Sequence, residues 1–478
     1  MSEFSQILSK FIKERDTNIY MLAKYCNYDR ANMYKLTSGK RNAPDLSFVK
    51  KLAEYMHLSP DEEKQLIEKY KISVVGYETY YRRKNIEDFL ASFAFAQTAL
   101  SMAQIDFRID MENGKNLILK NSHDIESILI HMFTAEMKCE HGKIQMLVQP
   151  EIDGLSNVLN LCGHGESSLQ IDHIVRLSNK PDYMEGEKLY NLECLKKILP
   201  YYNYNYQYNT WYYYGDISAN SYEFTMFPYM ILTSEYGCLL TADMKKGYLI
   251  SEPEVLKQMR EMFRRQKKQS RKLINCVENI AEQFETVGNM VATKYSGYSL
   301  QDDPCVMAFL DAELIQKYVA PQMENREILV QMTTEYCRCL ANQDVMYVFS
   351  MEGIRCFLET GIITELDPVL YTPPTVEDRI KIVEKILEYK EGTGTRFLKT
   401  PMSDRKTNMN LYVTSEHGLL RIALQEKKVF LDIILEESEL LHSFYDYCES
   451  MEAERFYEKR EAEKTIREAI DRLRASKL

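Results

Sequence analysis

A chain of 478 residues, 45% hydrophobic and 27% charged, has room for about three domains of ordinary size and the composition of a water-soluble globular protein. It has no apolar run of about 18 residues, so no membrane span is expected, and its first residues (MSEFSQILSKFIKERD) lack the apolar core of a signal peptide, so a cytoplasmic location is expected. The net charge of −11 is uneven: residues 1–84 hold 16 Lys+Arg against 11 Asp+Glu, and the remainder 44 against 60. A basic N-terminal part can approach phosphates that the acidic bulk would repel. The eleven cysteines show no CxxC pair or framework spacing and read as reduced thiols.

In chain order, residues 3–15 predict a first helix with Phe4, Ile7, Leu8 and Phe11 on one face. Asn18 can cap a second helix, which carries Leu22, Ala23 and Cys26 inward. Asn27 is the turn residue, since Asn tolerates the left-handed conformation that a short helix–helix turn needs. Asp29 can cap a third helix, with Met33 and Leu36 inward and Arg30, Ala31, Asn32, Tyr34 and Lys35 outward. Gly39 ends it, and the basic loop Lys40, Arg41, Asn42 leads to Pro44. Leu46–Leu58 reads as a fourth helix. Ser59, Pro60, Asp61 and Glu62 start a fifth, with a Ser cap, Pro at the first helical position and acids in the first turn.

The stretch LAKYCNYDRANMYKLTSGKRNAPD resembles the helix-turn-helix of phage-repressor-type regulators, the xenobiotic-response-element (XRE) family. Leu22, Ala23, Met33, Gly39, Lys40, Arg41 and Pro44 fall in register with that pattern. Asn27 replaces the usual turn Gly, Ile19 stands where a phosphate-contacting Gln is common, and Thr37 stands where a Glu is frequent. The resemblance covers residues 3–72. It implies a dimer that places two recognition helices in the major groove of double-stranded DNA. Arg30, Ala31, Asn32, Tyr34 and Lys35 would then read bases, and Lys40, Arg41 and Asn42 would hold backbone phosphates.

Beyond residue 87 the chain carries an internal repeat. Thr233-Ser234-Glu235-Tyr236-Gly237 matches Thr414-Ser415-Glu416-His417-Gly418 without a gap. Each is followed by an apolar run, a charged turn (Met244–Gly247; Gln425–Lys428), another apolar run and an acid-started helix. Each copy reads as three antiparallel strands and a helix, with Val255, Leu256, Met259 and Met262 matching Leu440, Leu441, Phe444 and Tyr447. The predicted organisation is an all-α head (1–75), a linker (76–87), two related α+β units (88–265 and 266–450) and a charged C-terminal helix (451–478). That last helix would pack on the body or pair with a second copy. The basic run Phe263–Lys272 reads as a solvated continuation of the helix leaving the first unit.

Four features bear on chemistry. In TSE(Y/H)G, Ser, Glu and His occur together only in the second copy, and strand neighbours point to opposite faces, so a structural turn is expected, with Gly supplying an unusual backbone angle. Cys139, His141, Cys162 and His164, with His123, His131 and His173 nearby, lack the usual zinc-ligand spacing, and no metal is expected. In YYNYNYQYNTWYYY, Tyr alternates from Tyr202 to Asn209, which predicts a strand with one aromatic face. That face either packs on a helix or forms a ligand-pocket wall of Tyr204, Tyr206, Tyr208 and Trp211. No phosphate-cradling or dinucleotide-binding glycine motif occurs, and no cofactor is expected. The sequence therefore reads as a non-enzymatic DNA-binding regulator whose body senses a small-molecule or peptide effector or mediates assembly. The alternatives are an enzyme or effector body carrying a DNA-binding head, and a protein-interaction scaffold.

Overall fold

Left-handed caps turn the chain wherever one short N-terminal helix meets the next. In the computed structural model, helices α1 (Glu3–Glu14), α2 (Ile19–Tyr25), α3 (Arg30–Thr37), α4 (Leu46–Tyr55) and α5 (Pro60–Val75) follow in close succession. The structure describes residues 2–93, 117–152, 154–163, 168–180, 183–215, 226–291, 293–390, 394–403, 408–424, 427, 429–436 and 439–475. Asp16, Asn27 and His57 take φ of 43°, 50° and 51°, just after α1, α2 and α4. After α2, the Asn27 and Tyr28 amides donate to the carbonyls of Lys24 and Ala23, which satisfies the helix end without a glycine. Ser59 and Glu62 form a reciprocal capping box at α5. Phe4, Leu8, Phe11, Leu22, Met33 and Leu52 fill the core between these helices.

Residues 77–92, part of which was expected to be a linker, form helix α6 (Tyr77–Ser92). The chain divides into two compact units, residues 1–85 with 184–189, and residues 86–183 with 190–478. The second piece of the smaller unit is a hairpin of β4 (Met184–Glu185) and β5 (Lys188–Leu189), in chain order after the strands β1–β3 described next. The Asn85 amide clamps the hairpin, donating to the Glu187 carbonyl at 2.7 Å and accepting from the Leu189 N–H at 3.2 Å.

The larger unit holds two sheets. The first is built from β1 (Leu117–Leu119), β2 (Lys143–Leu147), β3 (Gln170–Ser178), β6 (Gln207–Gly215), β7 (Tyr229–Leu232), β8 (Gly237–Leu240), β9 (Gly247–Ile250) and β10 (Arg271–Lys272), in the order β1-β9-β8-β7-β2-β3-β6-β10. Helices α7 (Ser122–Met137), α8 (Leu155–Gly163), α9 (Tyr190–Ile198) and α10 (Pro253–Gln269) connect or follow its strands. The second sheet is built from β11 (Asn275–Val277), β12 (Ser296–Gln301), β13 (Asp344–Ser350), β14 (Thr395–Leu398), β15 (Met409–Thr414), β16 (His417–Leu424) and β17 (Val429–Glu436), in the order β11-β17-β16-β15-β12-β13-β14. Its helices are α11 (Ile280–Val291), α12 (Ala312–Tyr318), α13 (Arg326–Ala341), α14 (Met351–Thr360), α15 (Val376–Glu388), α16 (Glu439–Glu449) and α17 (Lys459–Ala475).

Seven strands of each sheet follow one order. In both, three strands run parallel (β2, β3, β6; β12, β13, β14) and the meander runs antiparallel beside them. The expected α+β class holds only in part: each sheet is mixed, with three parallel strands beside the antiparallel ones, and the chain is a multidomain mixed α/β protein. The meander strands and their following helices lie where the repeat predicted. Of the parallel strands, the sequence pointed only to part of β6; β3 (QIDHIVRLS) and β12 (SGYSLQ) mix polar and apolar residues without a repeated motif to mark them.

Three further differences have local causes. Gly237 and Gly418 do not take positive φ. A Cβ on Gly237 would meet Leu256 and Met259 of α10 at 2.9 Å, and one on Gly418 would meet Leu441 of α16 at 3.2 Å. The repeated glycine therefore lets a helix approach the strand. In α10 the buried residues are Leu256, Met259 and Phe263, while Val255 and Met262 are exposed; in α16 all four expected residues are buried. The basic run leaves α10 at Gln269, and Arg271 and Lys272 then pair with Tyr212 and Trp211 as an edge strand. The C-terminal helix α17 packs on the body, with Ala462, Ile466 and Ile470 in the core beside the second sheet.

Candidate functional site

The third helix of the head owes its position to two caps. Asp29 accepts the Asn32 amide at 2.9 Å and fixes the start of α3. At its end Gly39 takes φ 75°, and the amides of Gly39 and Lys40 return to the carbonyls of Leu36 and Lys35. This closing motif satisfies the orphan carbonyls and turns the chain sharply into the basic loop. Met33 and Leu36 are fully buried, which sets the rotation of the helix.

That rotation presents Arg30, Ala31, Tyr34 and Lys35 to solvent, with Lys40, Arg41 and Asn42 exposed in the following loop. Asn32 is half-buried, and its Oδ1 accepts from Arg41 Nη1 at 2.9 Å. Helix and loop are thus tied by one hydrogen bond between a base-reading and a phosphate-holding candidate. The Arg30 guanidinium lies 5.7 Å from the ring centroids of both Tyr20 and Tyr34. The sequence reading missed Tyr20, which is 52% exposed on α2. Its signal was present, an aromatic residue one position after the phosphate-contacting position of the motif. Ile19 packs against the head core. Thr37 turns its hydroxyl to the Tyr34 carbonyl at 3.1 Å. The face therefore offers planar and ammonium cations, a methyl group and a phenol on one rigid helix.

The tyrosine-rich stretch is not a continuous strand. Leu199–Asn203 forms a 3-10 turn, and β6 starts only at Gln207. Tyr204, Tyr206 and Tyr208 are all buried and pack on one another, with Tyr204–Tyr206 and Tyr206–Tyr208 centroids 5.7 and 6.1 Å apart. Tyr208 Oη lies 2.6 Å from His173 Nδ1, and Tyr204 donates to Asn160 at 2.8 Å. Burial pulls the His173 imidazole down to about 4, so the ring is neutral at ordinary pH. Trp211 is covered by Lys267, 3.6 Å above its ring, and Lys267 also pairs with buried Asp172 at 2.9 Å. These aromatic residues therefore form packed core and a capped ring.

Among the described residues, the candidate cysteines and histidines do not converge. Cys139 and His141 are exposed, Cys162 is buried, and His164 lies outside the described residues, as do three of the four residues of the Gln425–Lys428 turn. Among the described residues, no group of three or more His, Cys, Asp or Glu is placed to hold a metal. The repeated TSE(Y/H)G closes the same turn twice. Thr233 Oγ1 accepts the Tyr236 amide at 3.2 Å, and Thr414 Oγ1 accepts the His417 amide at 3.1 Å. His417 itself is turned to the Met290 carbonyl, 3.1 Å away. No described helix is long and apolar enough to cross a membrane.

No family model matches the chain, and no curated protein matches its sequence. Among solved structures, TrmBL2, an archaeal chromatin protein with a novel mode of DNA binding, aligns over 52% of this chain and 84% of its own at 11% identity, with a TM-score of 0.23. The phosphatidylserine synthase of Haemophilus influenzae Rd KW20 aligns over 76% of this chain and 94% of its own at 8% identity, with a TM-score of 0.22.

Proposed function

We propose that the chain is a cytoplasmic, sequence-specific DNA-binding transcriptional regulator. Residues 1–75 are an XRE-type helix-turn-helix domain, and two related units, 88–265 and 266–450, form a body that senses an effector or mediates assembly. The observation that carries the reading is the exposed face of α3. Arg30, Ala31, Tyr34 and Lys35 stand on a helix held by caps at both ends, and Lys40, Arg41 and Asn42 sit beside it. Arg can bridge guanine O6 and N7, Ala can meet a thymine methyl, and Lys40 and Arg41 can neutralise phosphates. The charge excess of residues 1–84 supports approach of this end to DNA. A homodimer would set two such helices on half-sites one DNA turn apart.

The test is binding of the full chain to the DNA upstream of its own coding sequence, across a salt series. Arg30→Ala is expected to weaken the specific complex by about 1–3 kcal/mol and to relax preference at one base pair. Lys40→Ala is expected to weaken all sequences alike and to reduce the salt slope by about one. A footprint and affinity unchanged in Arg30→Ala would remove α3 as the reading face.

A further inference from the structure

The second sheet lines a cavity with polar side chains at positions that are apolar core in the first sheet. Strand registers place the two sheets position by position. Met146 pairs with Ile231 in the first, and Ser299 with Tyr412 in the second. Leu240 pairs with Gly247 in the first, and Arg421 with Asp432 in the second. Val148, one residue beyond β2, takes the place of Gln301. Met146, Val148, Ile231 and Leu240 are buried core. Their counterparts Ser299, Gln301, Tyr412 and Arg421 line a cavity of ≈ 60 Å³. One architecture thus carries apolar side chains at these positions in one copy and polar ones in the other.

The wall of this hollow has an unbalanced charge. Both edges of the Arg421 guanidinium are taken by Asp432, with Nε to Oδ1 at 2.7 Å and Nη2 to Oδ2 at 2.6 Å. That pair is neutral as a unit. Glu365 also lines the cavity, and among the described residues no cation lies within ion-pair distance of its carboxylate. Its neighbour Gln301, with the amide nitrogen turned toward it, reaches Glu365 Oε1 and Asn410 Oδ1 at 3.0 Å. Burial pushes the Glu365 carboxyl up, and the Cys305 thiol, the Arg421 charge and Gln301 offset this only in part. Tyr336, Tyr347 and Tyr412 stand in the same wall, and the Tyr412 hydroxyl is buried without a hydrogen-bond partner. Val287, Met290, Leu340 and Leu419 complete the lining with apolar surface.

A partly buried acid, three aromatic rings and an apolar floor together favour one ligand charge. An ammonium group satisfies a carboxylate and is attracted to aromatic faces. An anion would meet Glu365 at close range, with the one cation already engaged. A cavity of ≈ 60 Å³ admits only a handful of non-hydrogen atoms, given that one water needs about 10–15 Å³ on this measure. Tyr336 also lines an open groove of ≈ 680 Å³ between α11 and α13, and its ring stacks on Phe284 at 4.4 Å. Tyr336 is thus shared by the cavity and the groove.

We propose that this cavity binds a small primary ammonium compound with a short apolar stem, with Glu365 as counter-ion and the Tyr336, Tyr347 and Tyr412 rings around the cationic head. The site gives a place and a ligand class to the sensing role proposed for the body, and it rests on that reading only for what the ligand would control.

The probes are n-butylamine as its ammonium ion, the neutral 1-butanol and the anionic butyrate, titrated into the full chain by calorimetry and by thermal unfolding. Saturable binding and a raised Tm are expected for the amine alone. Glu365→Gln keeps the shape and removes the charge, and is expected to weaken the amine roughly tenfold or more. Its unliganded Tm is expected to stay level or rise, which separates loss of binding from loss of fold. Equal response to amine and alcohol, undiminished amine binding in Glu365→Gln, or no response to any probe would each overturn the proposal and leave a water-filled hollow. Operator affinity measured with and without the amine separates the two readings. Binding without any change in operator affinity supports the site and overturns the sensing role.

Discussion

The two sheets of the larger unit share a strand order and differ in what they bury. In the first, the position between β8 and β9 is Leu240 against Gly247; in the second it is Arg421 against Asp432. In the first, β3 carries His173 bonded to Tyr208 and the Val148 carbonyl; at the matching place in β13 stands Tyr347, stacked at 5.7 Å on Phe349. Backbone hydrogen bonding fixes the order of strands and is indifferent to side chains, whereas the filling between sheet and helices depends on them entirely. A shared topology therefore leaves each copy free to fill matching positions with apolar or with polar side chains.

The sharpest way to break this comparison is to remove one partner of the buried pair. Asp432→Ala strands the Arg421 charge in the interior and is expected to cost about 3–5 kcal/mol. The double change Arg421→Leu/Asp432→Val makes the second sheet resemble the first. It is expected to be neutral or to stabilise by about 1–4 kcal/mol. Denaturant unfolding of the three proteins reads both effects. A double variant as weak as the single one would mean that the pair does more than neutralise itself.

The next effect is confined to the first sheet. His173 is held neutral, with its folded pKa at about 4 against about 6.5 in an unfolded chain. Below 6.5 the unfolded chain takes up a proton that the folded one refuses, so stability falls as pH drops from about 6.5 toward 4. The total is about 3 kcal/mol. The difference in stability between wild type and His173→Gln, followed over that range, should shrink steadily as pH falls. A constant difference would show that the histidine is not neutral in the fold. At the matching place the second sheet has Tyr347 rather than a histidine.

The smallest expected effect is one that the two copies should share. Thr233→Val and Thr414→Val each remove a hydroxyl that accepts a turn amide, and each should cost about 1 kcal/mol. Unequal losses would show that the matching turns carry different loads. Such an asymmetry has a visible source in Glu136, which accepts the Ser234 amide at 2.9 Å beside the first turn.

Much of the head was legible because its signals are local. Asn18, Asp29 and Ser59 cap the helices that follow them, and Asn27 adopts the left-handed turn its side chain tolerates. The outward set Arg30, Ala31, Tyr34 and Lys35 follows from Met33 and Leu36 pointing inward, a matter of helical period alone. The meander strands were legible through the repeated TSE(Y/H)G and its flanking apolar runs. The alternation in YYNYNYQYNTWYYY misled, because buried tyrosines stabilise a 3-10 turn as well as a strand, and the period alone does not separate the two.

The sequence by itself determined the capped helices of the head, its positive charge and the paired meanders, since each depends on residues within a few positions of one another. Only the tertiary structure decided that the parallel strands complete two sheets of one order, that α17 joins the core, and that Gly237 and Gly418 serve close helix approach. It alone also brought Ser299, Gln301, Glu365, Tyr412 and Arg421 around one cavity. Those residues lie on separate segments as much as 122 positions apart, from Ser299 to Arg421. Their meeting is set by register and packing, which no local pattern of residues encodes.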